Sequence, residues 1–373
     1  MLVERVILET IRMRLKQAFR ISSGVQDERR IVLVRLVTSV GEGVGECVAG
    51  EDPNYSYETV ETAEMMLERH LIPAVLGYDF PGPRELAYAL GRTVRGHPMA
   101  RAALEMAAWH VEAQHRGLPL AAVLGGTKER IDVGVSIGLQ ASIEELLRAI
   151  RGYVDDGYRR VKLKIAPGHD VELVRHAREA FPDLALQVDA NAAYSPADID
   201  HLRRLDPFGL LMIEQPFAED DLVSHAKLQS QIETPVCLDE SIGSAADCET
   251  ALALRAAGVI NIKPGRVGGL TESMRIHDLC ATAGVPVWCG GMLETGIGRA
   301  HNAALASLPN FRFPADLSAS DRYWDRDVVN PPFTLEADGT VLVPRRPGLG
   351  VDIDEPFLDS VREEYRLIEA ATG

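Results

Sequence analysis

The fold is decided by a pattern that recurs between residues 161 and 263: VKLKI (161–165), LALQVD (184–189), LLMIE (210–214), VCLD (236–239) and VINIK (259–263). Each segment is a short apolar run with a charged residue at or next to its end. These residues are Lys164, Asp189, Glu214, Asp239 and Lys263, at intervals of 25, 25, 25 and 24 residues. Continuous apolar runs are typical of buried parallel strands, and the interval suits one strand–helix unit. The five charges therefore recur at equivalent strand ends.

Similar runs extend the pattern on both sides. They are 133–137, 285–288 and a weaker run, 311–313, which brings the number of candidate strands to eight. Stretches between the runs have the residue spacing of helices, including 142–154, 171–181 and 272–282. Eight alternating strands and helices predict an α/β protein with a closed (β/α) barrel, a modified TIM barrel, over residues 126–330. A doubly wound open sheet is the alternative.

The remaining chain predicts two further parts. Residues 1–125 have an α+β pattern, with strands at 3–13 and 30–37 and helices at 57–70, 83–90 and 98–115. The alternating glycines of 41–46 lack the helix that a dinucleotide fingerprint needs, so we interpret this stretch as a glycine-rich hairpin turn. Residues 331–373, with a short strand and Gly-Pro turns in 341–353, are expected to return to the N-terminal domain.

Composition excludes several classes of function. The chain has 373 residues, a net charge of −16 and a hydrophobic fraction of 46%, which is ordinary for a globular protein. An acidic surface disfavours nucleic acid and anionic membranes as partners. The longest stretch without acidic or basic residues, 279–293, is too short to span a bilayer, and the charged start lacks a signal-peptide pattern. Because the five cysteines form no CxxC pair, a reducing cytoplasm is expected.

Three of the strand-end charges are carboxylates on adjacent strands. The carboxyl ends of barrel strands form the rim where active sites are built, so Asp189, Glu214 and Asp239 should converge. Three neighbouring carboxylates stay ionised only with a cation, and oxygen-only ligands favour Mg²⁺, with Mn²⁺ as a substitute. Asn191 and Glu240 adjoin them, either as groups that orient the ligands or as turn residues.

The lysines predict proton transfer. Lys162 and Lys164 are two residues apart on one strand, so their side chains share a face, and Lys263 lies four strands further on. A second ammonium group and a divalent cation both disfavour protonation of a lysine, which makes it a competent base. The arrangement suits abstraction of a proton α to a carboxylate, with the developing enediolate stabilised by a metal.

The combined motifs resemble those of a known family. Lys162-x-Lys164, Asp189-x-Asn191, Glu214-Gln215-Pro216, Asp239-Glu240 and Lys263-Pro264-Gly265 are similar to the enolase superfamily, specifically its muconate-lactonising branch. The resemblance implies that residues 1–125 cap the barrel, that Lys164 and Lys263 are the catalytic pair, and that Asp189, Glu214 and Asp239 hold Mg²⁺. It also implies a symmetric homo-oligomer.

A finer resemblance concerns three segments: 188–194, 261–269 and 288–296 are similar to the o-succinylbenzoate synthase / N-succinylamino acid racemase group. Its implied substrate is a small, succinylated carboxylate, which is dehydrated on the way to menaquinone or racemised. The sequence leaves open which of the two reactions is physiological. A muconate-type cycloisomerase or a dipeptide epimerase is the alternative, although Asp316-Leu317-Ser318 lacks the second aspartate of the epimerases. A non-catalytic binder is a remote alternative.

Pocket residues are expected from strand ends and from the cap. Ser136 either faces the substrate carboxylate or is a plain strand-end serine, and Lys162 contributes binding or charge. Gly291, Met292 and Leu293 are expected to form a wall beside the acyl amide. Phe19 and Tyr55 belong to cap loops that close over the barrel in this family, although Phe19 also suits core packing. Arg266 is expected either to lower the pKa of Lys263 or to pair with a surface carboxylate.

Overall fold

The computed structural model describes residues 1–21 and 24–369, and it describes no side chains for residues 19–21, 24 and 25. The described chain begins with an antiparallel sheet built from β1 (Val3–Ile21), β2 (Gly24–Thr38) and β3 (Gly41–Cys47). Side chains alternate across it: Ile31 and Leu33 pack into the barrel core, whereas Val32 and Val34 pack on the helices of the cap. One sheet thereby serves two cores.

The prediction of a glycine-rich hairpin turn at 41–46 was wrong, because the whole of this stretch lies in strand β3. A Cβ atom on Gly45 would lie 2.0 Å from the Ala103 carbonyl oxygen, and one on Gly43 would lie 2.2 Å from that of Ala107. The alternating glycines therefore allow a helix to lie directly on the strand. A period of two, which indicates a strand, was the signal available in the sequence.

Five α-helices complete the N-terminal domain in the described chain: α1 (Val60–Met66), α2 (Ile72–Val75), α3 (Pro83–Thr93), α4 (Pro98–His115) and α5 (Leu120–Leu124). A π-helical turn, Leu67–Leu71, joins α1 to α2. The first helix starts later than predicted because Thr59 forms a capping box with Thr62. Helix α4 has the predicted bounds, and it is buried on almost every face because it packs between the cap sheet and the barrel.

The barrel follows a short strand, β4 (Arg130–Asp132). Its sheet contains β5 (Val135–Ile137), β6 (Arg160–Lys164), β7 (Ala185–Asp189), β8 (Ile213–Glu214), β9 (Val236–Leu238), β10 (Val259–Ile262) and β11 (Val287–Cys289), all parallel. Neighbours in the sheet are neighbours in the chain. This order excludes the doubly wound alternative, in which the strand order reverses at a switch point.

Helices connect these strands and cover the outside. They are α6 (Ile143–Asp155), α7 (Val171–Ala180), α8 (Ile199–Leu202), α9 (Leu222–Gln229), α10 (Ala245–Leu254), α11 (Pro264–Val267), α12 (Leu270–Ala283) and α13 (Gly296–Ala306). Turns of 3₁₀ helix, Pro196–Asp198 and Arg203–Phe208, flank α8, and a third, Ser320–Arg322, follows α13. The predicted barrel fold is confirmed.

The eighth strand is the exception to the prediction. Phe311 and Ala315 form single parallel bridges, the first with Val287 in β11 and the second with Val133, two residues before β5. These two bridges link the last strand of the curled sheet to the segment that leads into the first. Backbone bonds from Arg312 to Val287 and from Asp316 to Cys289 measure 3.0 and 2.9 Å. Proline at 314 lacks the N–H group that a regular ladder needs, so the segment closes the ring without forming a strand.

The C-terminal segment contributes β12 (Val329–Asn330), β13 (Thr340–Leu342), β14 (Asp352–Ile353), α14 (Glu355–Val361) and β15 (Arg362–Glu369). Strand β13 pairs with β4, and β15 pairs antiparallel with β1 to form the outer edge of the cap sheet. Both ends of the described chain therefore meet in one sheet. None of the described helices is long and apolar enough to cross a membrane.

Buried carboxylates of the cap hold barrel helices at their N-termini. Glu105 on α4 accepts hydrogen bonds of 2.8 Å from the backbone N–H groups of Leu270 and Thr271, at the start of α12. Glu46 on β3 accepts from the backbone of Thr295 and Gly298, at the start of α13. These are the helix ends where anionic side chains are favourable. The cap is thereby fixed over one side of the barrel mouth.

Candidate active site

The five strand-end charges lie together at the carboxyl edge of the parallel sheet. Lys164, Asp189 and Glu214 are the last residues of β6, β7 and β8, and the three are neighbours in register. Asp239 and Lys263 directly follow β9 and β10. All five side chains are buried, so their charges interact in a medium of lower polarity than water.

A cavity of about 330 Å³ lies between this edge and the cap. Its volume is at the lower end of the range for small-molecule sites. The predicted residues that line it are Tyr55, Ser136, Lys162, Lys164, Asn191, Lys263, Gly291, Met292 and Leu293. Asp189, Glu214, Asp239, Glu240 and Arg266 contact lining residues or their partners. The backbone of Phe19 is opposite Gln26 in the β1–β2 pair, but its side chain lies outside the described residues.

The Glu214 carboxylate is fully buried. Its two oxygens accept hydrogen bonds from Asn261 at 2.8 Å and from Gln187 at 2.9 Å. Lys162 Nζ also lies 3.2 Å from Oε2. Burial, together with the neighbouring charge of Asp189, raises the pKa of Glu214 to about 7. Asn261 and Gln187 were missed in the sequence, because amides inside apolar strands carry no catalytic signature.

Asn191 connects two carboxylates to a lysine. Its Oδ1 accepts from Lys164 Nζ at 2.5 Å, its backbone N–H donates to Asp189 at 3.0 Å, and its side-chain amide donates to Glu240 at 3.0 Å. Lys164 Nζ also lies 2.6 Å from Asp189 Oδ2. Asn191 has φ +43°, which places it in the left-handed region of a turn. The orienting role and the turn role are therefore compatible in this residue.

Tyr55 and Arg266 join Lys263 around Asp239. Lys263 Nζ lies 2.7 Å from Asp239 Oδ2, and the Tyr55 hydroxyl donates to Oδ1 at 3.0 Å. Arg266 also donates to Oδ1, and its other nitrogens bond to backbone carbonyls of Ile242 and Asn261 at 2.8 and 2.6 Å. The alternative that Arg266 pairs with a surface carboxylate was wrong, because Asp239 is fully buried.

The charges around Asp239 act on the pKa of Lys263 in opposite directions. Burial lowers the pKa of Lys263, Asp239 and Tyr55 raise it, and Lys162 and Arg266 lower it. The net direction is a raised pKa, with Asp239 as the dominant partner. Arg266 is thus a neighbouring cation that lowers the pKa of Lys263, which is the direction that the sequence predicts. Both cations contact the same carboxylate, that of Asp239.

Asp316 is the main residue that the sequence analysis did not assign to this site. Its carboxylate accepts from Arg160 at 2.8 Å and from Ser136 at 2.9 Å, and it lies 3.0 Å from Lys162 Nζ. Burial lowers the pKa of Lys162, but Asp316, Glu214 and Asp189 raise it well above its ordinary value. Lys162 therefore remains a cation. Asp316 follows the eighth apolar run by three residues, so its position carried a signal that the weak strand pattern obscured.

The wall of Gly291, Met292 and Leu293 has a well-defined local geometry. Met292 N donates to Glu294 at 2.8 Å, and Leu293 has φ +59°, which is uncommon for a leucine. Helix α13 begins three residues later, at the end that Glu46 holds. The contact between Glu46 and this helix therefore links the cap to the segment that follows the wall.

The carboxylates suit a hard divalent cation in their chemistry. Asp189, Glu214 and Asp239 supply only oxygen atoms, and Oε2 of neighbouring Glu240 is buried without a hydrogen-bond partner among the described residues. Burial and the charges of Asp239 and Asp189 raise the pKa of Glu240 to about 8, which indicates excess negative charge. Within the described chain, no three acidic, histidine or cysteine side chains already share a metal-ligating geometry. Their oxygens bond to the lysines and amides instead.

Comparison with family models divides the chain in two. Residues 4–125 match the mandelate racemase / muconate lactonizing enzyme N-terminal domain, and residues 145–357 match the enolase C-terminal domain-like family. Together these matches cover most of the chain.

Individual proteins are similar over nearly their whole length. An o-succinylbenzoate synthase of Geobacillus kaustophilus is 51% identical, over 98% of this chain and 97% of its own. An N-succinylamino acid racemase of Thermus thermophilus is 47% identical, with both chains covered completely. A solved structure of an enolase-superfamily member from Listeria innocua is 41% identical, with a TM-score of 0.95 and 99% of both chains covered.

Proposed function

The chain belongs to the enolase superfamily, and from that membership we propose that it abstracts a proton α to the carboxylate of a small succinylated substrate. Two reactions follow from that step at one site: dehydration to o-succinylbenzoate and racemisation of N-succinylamino acids. Its relatives include an o-succinylbenzoate synthase and an N-succinylamino acid racemase, which supports both reactions. Both reactions need the same first event, which is removal of an acidic hydrogen from carbon by a positioned base.

The observation that carries this proposal is the position of two lysines in one cavity. Lys164 and Lys263 end strands that are four apart in a ring of seven strands and one closing segment, so they approach the cavity from opposite walls. A substrate carbon between them presents one face to each lysine Nζ. The lysine that is a neutral amine takes the proton from one face, and the protonated lysine opposite gives a proton to the other face. The two roles are exchanged for the other enantiomer. A binding protein needs no such opposed pair.

We assign Asp189, Glu214 and Asp239 as ligands for Mg²⁺, which enolase-superfamily enzymes generally use, with Mn²⁺ as a substitute. When bound, the cation supplies positive charge that stabilises the negative charge left by proton removal. Lys162 remains protonated beside Asp316 and Glu214 and adds a further cation at the same edge of the cavity. Gln187 and Asn261 hold Glu214 in one orientation.

The structure gives a reason to favour acylated amino acids over free dipeptides. A dipeptide presents an ammonium group, which requires an available carboxylate. Asp316, the candidate at the end of the eighth segment, is already bonded to Arg160, Ser136 and Lys162. Displacing those partners would leave buried cations uncompensated, which is costly. An amide nitrogen carries no such charge, and the wall of Gly291, Met292 and Leu293 offers backbone groups beside it.

The test is a substrate comparison with purified protein and Mg²⁺. Formation of o-succinylbenzoate is followed by absorbance, and racemisation of N-succinylphenylglycine is followed by loss of optical rotation. L-Ala-D-Glu and a cis,cis-muconate serve as the alternative substrates. The proposal predicts turnover of both succinylated compounds and at least a hundredfold lower kcat/KM for the others. Faster turnover of the dipeptide or the muconate would overturn it.

A further inference from the structure

Arg29 is a buried cation of the cap that the reaction described above does not use. It lies on β2 on the same face as Ile31 and Leu33, so it points toward the barrel. Its side chain is 4% exposed and lines the cavity that also contains Lys164 and Lys263. The guanidinium group therefore faces the substrate space from the side opposite the barrel strands.

The hydrogen bonds of Arg29 are far from complete. Its terminal nitrogen donates to the Val48 carbonyl oxygen at 3.2 Å, and its Nε is buried without an acceptor among the described residues. Burial lowers the pKa of Arg29, and the charges of Glu46 and Glu294 offset this effect only in part. No carboxylate oxygen of the described side chains lies within 4.0 Å of it. A buried arginine with spare donors and no close anion is unusual and costly.

The neighbouring arginine shows the ordinary arrangement. Arg30 lies on the opposite face of the same strand and forms ion pairs with Glu363 and Glu364 at 3.0 and 2.7 Å, and further pairs with Glu61 and Glu64. The contrast between adjacent residues indicates that acidic partners are plentiful in this sheet. Arg29, which lines the cavity, is instead left without an acidic partner among the described side chains.

We propose that Arg29 binds the second carboxylate of the substrate, at the end remote from the α-carbon. This inference rests on the proposed function and names the group that the cap recognises. The lysines act on the α-carbon at the barrel edge, and a dicarboxylate chain reaches from there to the cap. A guanidinium fork matches a carboxylate with two parallel hydrogen bonds, and such charged bonds are stronger than neutral ones. The second carboxylate of the substrate accepts hydrogen bonds from the Arg29 donors that have no acceptor among the described residues.

The proposal predicts selectivity for a negatively charged acyl group. N-succinyl and N-succinamyl derivatives of one amino acid have the same length and shape, and they differ in a terminal carboxylate against a neutral amide. The wild-type protein should prefer the succinyl compound. In Arg29→Met, which keeps the apolar stem, the ratio of the two kcat/KM values should fall by about 10- to 100-fold, through a higher KM for the succinyl compound.

Two further variants separate recognition from structure. Arg29→Lys keeps the charge but loses the fork, so its selectivity ratio should lie between those of wild type and Arg29→Met. Arg30→Met removes a cation from the same strand but from the opposite face, and its ratio should equal that of wild type. Unfolding temperatures measured for all variants identify any general loss of stability.

The outcome distinguishes this inference from the proposed function. If Arg29→Met lowers kcat/KM for both acyl compounds by the same factor, Arg29 supports the fold and does not bind the second carboxylate. The proposed racemase function is unaffected by that result. If the wild-type protein turns over neither compound, the proposed function fails before selectivity is measured. A preserved ratio in a folded Arg29→Met protein would overturn the inference.

Discussion

Lys263 shares the carboxylate of Asp239 with Arg266: its ammonium group lies 2.7 Å from Oδ2, while Arg266 donates to Oδ1. Asp239 raises the pKa of Lys263, and Arg266 lowers it. Removing the guanidinium group removes one of the effects that lower the pKa of Lys263 against Asp239. The arginine therefore acts on the base without lining the cavity.

We predict that Arg266→Gln raises the pKa of Lys263 and slows racemisation by about tenfold or more. Each unit by which the pKa rises lowers the fraction of Lys263 that is a neutral amine about tenfold. The loss should be greatest for the enantiomer whose proton Lys263 removes, and the acid limb of that pH–rate profile should move to higher pH. Dehydration should slow much less, since it needs only Lys164 as a base. Both activities and both exchange reactions are measured in one variant; an equal loss in all of them would assign Arg266 to structural support.

Replacing one carboxylate should weaken metal binding while the fold remains. Glu214→Gln keeps the shape and removes a charge, so we expect Mg²⁺ affinity to fall at least about tenfold. Isothermal titration measures it, with Glu219→Gln, an exposed acid nearby in the chain, as the matched control. Full turnover in excess chelator, or equal affinity in the two variants, would exclude these ligands.

Two glycines, one in the close contact between β3 and α4 and one in open space on α6, predict different changes in stability when each is replaced by alanine. Gly45→Ala puts a methyl group into the Ala103 backbone and should destabilise the fold by about 1–3 kcal/mol. Gly152→Ala, on α6 with nothing within 4 Å of the new methyl group, should be neutral or stabilise by about 0.5–1 kcal/mol. Urea unfolding measures both. Wild-type stability in Gly45→Ala would contradict the close packing.

Two buried histidines on either side of Val44 predict a loss of stability in acid. Val44 N donates to His110 Nδ1 at 3.0 Å, and His301 Nε2 lies 3.0 Å from the Val44 carbonyl oxygen. Burial lowers their pKa values to about 3 and about 4, from an ordinary 6.5. The stabilisation is present above pH 6.5 and is lost as the pH falls toward 4, because the unfolded chain binds protons that the folded one does not.

The matching variant is His301→Asn. Between about pH 4.5 and 6 the variant should take up one proton fewer on unfolding than wild type does. As the pH falls, its free energy of unfolding should therefore decrease less steeply than that of wild type, by about 1.4 kcal/mol per pH unit. Urea titrations at several pH values measure the slope. Identical slopes in wild type and variant would mean that His301 is protonated in the folded state.

The barrel was predictable because its strand ends carry charge at a constant interval. Lys164, Asp189 and Glu214 each finish a strand, as the pattern predicts. The closing segment was mispredicted because Pro314 prevents a regular ladder, a local effect that an apolar run does not reveal. The resemblance to a known family supplied the capping role of residues 1–125 and the substrate class, which spacing alone does not give.

Residues whose roles depend on contacts with distant parts of the chain were harder to predict. Arg29 is 135 positions before Lys164 in the chain, and only the folded cap brings it to the same cavity. Asp316 becomes informative when its bonds to Arg160 and Lys162 are known. Such roles depend on contacts between distant segments, and one sequence shows no pairing between them.

The central claim is that two lysines act on opposite faces of one carbon. It is tested most directly by α-proton exchange in D₂O, measured separately for each enantiomer of N-succinylphenylglycine. Lys164→Ala and Lys263→Ala should each lose exchange with a different enantiomer, and neither should racemise. Lys→Arg changes should also fail, because a guanidinium group does not serve as a base. Racemisation at the wild-type rate in either alanine variant would contradict the two-base account.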